Sequence, residues 1–224
     1  MLSGPTAIHD VLDPVIQNQP DLLKGKVVVN MGTNPPAFSR QLADRLDNIG
    51  ARFVDAPVSG TQVPAQEGAL LIMASGPDEV VDQLSPMFNA VGNRVIKCGA
   101  VPQATLMKLA VNIVLSTSIA GLVEGAHFAQ KSGLPLETFF GLIQGGPLGN
   151  DIFSIKAKKI MDQDFTPQAS IATVHEMLKH IIDTAYDINA YIPTTWSNAN
   201  LITAGMNKGL AHEDACAIIK VFQT

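Results

Sequence analysis

Cysteine, charge and long apolar runs are all scarce in this chain of 224 residues, and each scarcity removes a class of protein. Two cysteines, Cys98 and Cys216, are too few for a disulfide framework, and they lack the spacing of a zinc site. They read as reduced core thiols, and no metal site is expected. Charged residues make up 16% of the chain against 46% hydrophobic, the balance of a compact globule rather than a disordered tail. The net charge of −5 leaves no electrostatic footprint for nucleic acid. Lys158-Lys159 is the only adjacent basic pair and reads as a solvated helix face. Met1 to Pro5 has neither the charged nor the apolar region of a signal peptide. The richest apolar window, Leu106 to Val123, is interrupted by Lys108, Asn112, Ser116, Thr117 and Ser118, so no membrane span is expected and the default location is cytoplasmic. There is no internal repeat and no low-complexity stretch.

What is present changes character near Gly99. Before it, two periods alternate. Pro5–Ile16 and Pro35–Ile49 carry helical stripes, the second through Phe38, Leu42, Ala43, Leu46 and Ile49. Lys26–Met31 is a continuous apolar run, as in a strand of a parallel sheet buried on both faces. Phe53–Asp55, Leu70–Met73 and Arg94–Lys97 predict further strands, with one helix over 78–89 between the last two. Such alternation predicts an open α/β sheet. After Gly99 a long helix runs from Thr105 to Lys131, stopped by Gly133-Leu134-Pro135. Helices follow over 136–143, 153–161, 170–189, 194–208 and 213–222. The expected organisation is an α/β unit over 1–98 and an all-helical unit over 99–224.

Three groups of residues carry chemistry. Asp55-Ala56-Pro57-Val58-Ser59-Gly60 reads as a strand entering a tight turn, where backbone N–H groups and the Ser59 hydroxyl can hold an anion. Alone it is an ordinary Ser/Gly loop. Lys108 lies in Leu106-Met107-Lys108-Leu109-Ala110-Val111, too apolar for a comfortable ammonium, with Asn112 one turn on along the same face. Most helical lysines are solvated or snorkelling; a desolvated one exchanges a proton nearer neutral pH. Thr33, before Pro35, is either a helix cap or a ligand contact, and both roles are compatible. His175-Glu176 and His180 miss the H-E-x-x-H spacing of a zinc peptidase by one residue.

The ordered set of Asp55–Gly60, Gly68, Met73-Ala74-Ser75-Gly76 and Lys108-x-x-x-Asn112 resembles the β-hydroxyacid dehydrogenases, the family of 3-hydroxyisobutyrate dehydrogenase and tartronate semialdehyde reductase. The resemblance covers essentially the whole chain. It implies a truncated Rossmann-like parallel sheet followed by an all-helical domain like that of 6-phosphogluconate dehydrogenase, with the active site in the cleft between them. It implies NAD or NADP as cofactor, a small carboxylic acid as substrate, and hydride transfer between a small 3-hydroxyacid and its semialdehyde. Lys108 is then the general acid/base; Ser59, Gly60 and Asn112 bind substrate; Thr33 and, more weakly, Ser3 line the cofactor. The apolar helix 105–131 suggests a homodimer.

Two departures stand against that pattern. No G-x-G-x-x-G follows Lys26–Met31, where Gly32-Thr33-Asn34-Pro35-Pro36 stands instead. The resemblance places this segment inside the family pattern, with roughly 65 to 70 residues, about a βαβ unit, ahead of Met1. The dinucleotide site is therefore expected to be incomplete here, and NAD against NADP stays open. Glu176-Met177 also stands where the family has Lys-Asp near the nicotinamide, reversing the local charge at a cofactor-lining position. A non-catalytic dimerising module, or a pseudoenzyme without cofactor binding, is the alternative reading.

Overall fold

The structure is a computed structural model that describes every residue except Met1, Ser3, Thr61, Gln223 and Thr224, with backbone alone at Gln62 and Val63. The chain divides into two compact units, residues 1–111 and 112–224. The first holds α1 (Gly4–Asn18), β1 (Val27–Asn30), α2 (Pro36–Asp47), β2 (Arg52–Asp55), β3 (Val58–Ser59), α3 (Gln62–Gln66), β4 (Leu70–Ser75), α4 (Asp78–Gln83), α5 (Ser85–Val91) and β5 (Gly92–Gly99). It also holds the first turns of α6 (Gln103–Lys131), a 29-residue helix that runs on into the second unit.

The sheet is mixed. β1 pairs with β2 and β4 with β5 in parallel, as expected, but β2 and β3 both run antiparallel to β4. The reason is local. Asp55 opposes Ser75, Val58 opposes Ile72 and Ser59 opposes Leu71, so one register carries residues 52–59 along β4 through the Ala56-Pro57 interruption. Val27, Val28 and Val29 are half-buried, because β1 lies at one end of the strand order rather than inside it. Alternation along β2 separates two cores. Phe53 joins Ile8, Phe38, Leu42, Leu46 and Ala51 under α1 and α2. Val54 joins Ile72, Val80, Val81 and Phe88 under α4 and α5. The single helix expected over 78–89 is divided at Leu84, since Pro86 opens the second helix and has no N–H to continue the first.

The second unit contains the rest of α6, then α7 (Leu136–Gly145), α8 (Asp151–Asp162), α9 (Ile171–Asp187) and α10 (Pro193–Asn207). The helix expected over 213–222 is a 3-10 helix, Ala215–Val221, capped by the Asp214 carboxylate. Gly205 lets α10 approach Ile171 and Ile218 closely, and a Cβ there would lie 3.3 Å from Ile171. Against expectation, α6 is long and apolar enough by length and composition to cross a membrane, with a mean hydropathy of 1.8 over its best window. The interrupting polar residues are too few to lower that value. Leu109, Ile119, Leu122, Val123 and Ala126 are nevertheless buried against protein.

A buried ion pair ties the end of the second unit to α8. Lys156 is 3% exposed and its Nζ donates to both Asp214 oxygens at 2.9 and 3.0 Å. Burial pushes the Asp214 carboxyl up, but the Gln168 N–H, the Lys156 ammonium and the Cys216 thiol reverse this and hold it below its ordinary range. Lys156→Met leaves that carboxylate buried and unpaired, and urea unfolding is expected to show a loss of about 3–5 kcal/mol. The pH dependence has a fixed sign. A depressed carboxyl pKa stabilises the fold above 3.8 and stops doing so as pH falls towards the folded-state value. The stability gap between the natural protein and Asp214→Asn is therefore expected to shrink below that pH; a gap that widens in acid contradicts the assignment.

Candidate active site

Hydrogen-bond donors from β1, α2 and α6 meet at Asp55. Asn30, Asp55, Ser75 and Gly99 are register partners and form one row across four strands. Asp55 is fully buried, and its carboxylate gathers donors from separate elements. The Thr105 hydroxyl donates to Oδ2 at 2.8 Å and the Thr105 N–H to the same oxygen at 3.2 Å. The Ser39 hydroxyl, on α2, donates to Oδ1 at 3.4 Å. Thr105 lies in the first turn of α6, whose N–H groups have no partner within the helix. Asp55 satisfies one of them from another strand, and its negative charge suits the positive end of the helix dipole. Burial pushes the Asp55 carboxyl up to about 6, partly offset by the hydrogen bonds from Thr105, Ser39 and Asn30.

Lys108 stands three residues beyond Thr105, one turn further along α6. It is half-buried, and among the described residues no carboxylate or hydrogen-bond acceptor holds its ammonium. Burial alone pushes its pKa below the usual lysine value. Asn112, a turn later on the same helix, is 6% exposed. Ser59 ends the 52–59 run and is half-buried, with no hydroxyl partner among the described residues. Gly60 follows with φ of 143°, and a Cβ there would come within 2.7 Å of Leu70, so the turn admits no side chain.

Thr33 lies half-exposed in the connection after the carboxyl end of β1, the end at which open α/β sheets take their ligands. Asn30 and Gly32 exchange hydrogen bonds there, and the buried Asn34 Oδ1 has no partner among the described residues. The cofactor-binding role expected of Ser3 lies outside the described residues. Glu176 sits on α9 in the second unit with a 69% exposed side chain, 4.0 Å from His180.

Three helices that follow strands show what the first unit can hold. The N-terminus of α2 is formed by Pro35 and Pro36, which offer no N–H to a phosphate. That of α4 carries Asp78 and Glu79, and that of α6 is taken by Asp55. Proline and acid at two of these starts and Asp55 at the third make each a poorer anion site than a glycine-rich turn. A cavity of about 560 Å³ lies elsewhere in the unit, lined by Asp44, Arg52, Phe53, Gly76 and Val101 among others, and includes neither Thr33, Ser59 nor Lys108.

Sequence reasoning singled out Lys108 and the Ser59 turn but not the Asp55 junction with Ser39 and Thr105. The available signal was an aspartate ending an apolar strand. The donors lie 16 and 50 positions away, beyond the reach of periodicity.

Comparison with known proteins agrees with this arrangement. Residues 1–99 match the NAD binding domain of 6-phosphogluconate dehydrogenase. Residues 103–222 match the NAD-binding domain of NADP-dependent 3-hydroxyisobutyrate dehydrogenase. The chain is 28% identical over 223 residues to L-threonate dehydrogenase of Escherichia coli K12, spanning 99% of itself and 70% of that protein. It is 25% identical over 201 residues to the 2-hydroxy-3-oxopropionate reductase of the same organism, spanning 90% of itself and 69% of that enzyme. A crystal structure of 3-hydroxyisobutyrate dehydrogenase from Salmonella typhimurium superposes with a TM-score of 0.88 at 26% identity, over 99% of this chain and 77% of that one. With both units matched in order, the chain belongs to the β-hydroxyacid dehydrogenase family, the NAD(P)-dependent oxidoreductases that include 3-hydroxyisobutyrate dehydrogenase.

Proposed function

We propose that this chain interconverts a small β-hydroxyacid and its semialdehyde, with Lys108 as general acid/base. The observation that carries this reading is an amine half-buried on an apolar helix, depressed by desolvation and without a counter-ion among the described residues. In the oxidation direction the substrate hydroxyl loses its proton to neutral Lys108 while the carbinol carbon gives up hydride. In reduction the ammonium returns the proton to the carbonyl oxygen. NAD or NADP, when bound, supplies the hydride acceptor or donor. Ser59 and the backbone at Gly60 hold the substrate carboxylate, and Asn112 orients the substrate or Lys108. Thr33 faces the nicotinamide end of the cofactor, and Ser3 is assigned to the same lining.

Glu176 occupies the position at which the family places a cation beside the cofactor. An anion there weakens attraction for a substrate carboxylate, which favours polyhydroxylated acids held by hydrogen bonds over short unsubstituted ones. L-threonate, named for one relative, is such an acid.

The exposed face of α6 includes Val111, Val114, Leu115 and Phe128, the last of them more than three turns beyond Leu115 and 71% exposed. We assign this face to a homodimer contact, since covering such a stripe is favourable. Sedimentation at micromolar concentration is expected to give a dimer, and Phe128→Asp with Val114→Asp a monomer. A natural protein that sediments as a monomer contradicts this.

Turnover of threonate, 3-hydroxyisobutyrate and 2-hydroxy-3-oxopropionate with each nicotinamide cofactor tests the reaction. Lys108→Met is expected to lower kcat by roughly 10²- to 10⁴-fold with KM changed little. A kcat within threefold of the natural protein overturns the lysine's role. The pH profile has two signs from one group. Oxidation needs the neutral amine and rises with pH through the lowered pKa of Lys108; reduction needs the ammonium and falls through the same range.

A further inference from the structure

We propose that Asp55 is a positioning residue for the reaction: its carboxylate locks the first turn of α6 to the 52–59 run and so fixes Lys108 relative to the Ser59 turn. The inference rests on the acid/base reading of Lys108 and adds what holds that lysine in place.

The geometry makes one carboxylate the joint between two functional segments. On one side, Asp55 and Ser59 ride a single rail, since 55↔75, 58↔72 and 59↔71 preserve one register against β4. Ser59 stands four residues on, and the alternation of an extended chain sets the two residues towards the same side. On the other side, both donors of Thr105 end on Asp55 Oδ2, at 2.8 and 3.2 Å. Lys108 follows Thr105 by three residues, the spacing that stacks side chains on one helix face. Rotation or slippage of that first turn therefore carries Lys108 with it. Ser39 from α2 holds the second oxygen and restrains the carboxylate from swinging away.

The chemistry of the joint is costly for a mere brace. Asp55 is fully buried, and its donors are a backbone N–H, hydroxyls and the Asn30 amide. No cation is among the groups that shift its carboxyl, and the titratable group whose own pKa responds to it is Cys98 on β5. A buried carboxylate without a cation is rarely kept for stability, because neutral residues of similar shape fill such positions at less cost. Lys156–Asp214 shows the structural solution in the same chain, a carboxylate buried with its cation. Asp55 differs in having a helix terminus as its partner.

The test compares Asp55→Ala, Asp55→Asn and Thr105→Val with Lys108→Met, all as the full chain and scored per folded molecule by circular dichroism. Asp55→Ala is expected to lower kcat about 100-fold, the scale of a misplaced catalytic group, with KM within about threefold. Asp55→Asn keeps an acceptor for Thr105 and is expected to recover most of the loss; Thr105→Val removes the hydroxyl donor alone and is expected to fall between them. A second readout needs no turnover: competitive acetylation with acetic anhydride against pH reports the titration of the Lys108 amine. Removing a nearby negative charge by itself moves that midpoint down. Release of the helix turn into water moves it up, and an upward shift in Asp55→Ala, reversed in Asp55→Asn, is the expected result. If Asp55→Ala does not fold, the upward shift expected in Thr105→Val against the natural protein decides. Unchanged Lys108 titration and a kcat within threefold in the folded Asp55 and Thr105 variants overturn the positioning role while the lysine reading stands. A Lys108→Met variant that keeps its kcat overturns both.

Discussion

A carboxylate buried at the end of a strand holds the first unit's chemistry in register. Asp55 receives Thr105 from the start of α6 and Ser39 from α2, and its own strand continues into the Ser59-Gly60 turn. If that junction were replaced by apolar contact, nothing directional would fix the azimuth of α6. Hydrophobic burial is indifferent to a rotation of some tens of degrees, whereas two hydrogen bonds to one oxygen are not. Side chains projecting from the second turn of a helix amplify small rotations of the first. The position of Lys108 is therefore a consequence of Asp55 more than of the packing around the lysine itself.

Two lysines in this chain illustrate what partnering does to a buried cation. Lys156 is nearly inaccessible, yet both Asp214 oxygens and Gln168 accept from it, and it serves as a clasp between α8 and the final 3-10 helix. Lys108 is less deeply buried but has no such set of acceptors among the described residues, and desolvation pulls its pKa down. The difference underlies the proposal that Lys156 is structural and Lys108 the proton-transferring amine. An amine that no carboxylate stabilises is free to exist in both protonation states within an accessible pH range, which reversible alcohol oxidation requires. Among the described residues, Ser75 Oγ in the same row and Asn34 Oδ1 in the loop after β1 are buried without a hydrogen-bond partner.

Helices were the most legible part of the sequence. Those over 35–49, 105–131, 170–189 and 194–208 appear within two residues or so of the expected limits, because each presents several turns of apolar spacing to one neighbour. Strands β1, β2, β4 and β5 were legible as apolar runs. β3 was not, since two residues make no pattern, and strand direction cannot be read from composition. The break at Leu84 was available in Pro86 but was outweighed by the helical spacing around it. The last segment looks helical by composition, yet its path is set by Asp214, which caps a tighter 3-10 turn. At the site, the candidates that the sequence singles out are local pairs: Lys108 with Asn112, and Ser59 with Gly60. Asp55 stood in plain view within the same motif, but its meaning depends on Ser39 and Thr105, which only the folded chain brings to it.

Family membership brings NAD or NADP to this chain, while proline, acid and Asp55 at the helix starts after β1, β4 and β5 make each a weaker anion site than a glycine-rich turn. The central claim, that these 224 residues act in nicotinamide-dependent oxidation and reduction, is tested most directly by titrating NADH and then NADPH into the folded chain in a calorimeter. Micromolar binding of one of them is the result this account predicts, with Thr33→Ala weakening it. Absence of heat with either cofactor, from protein shown to be folded, would contradict it.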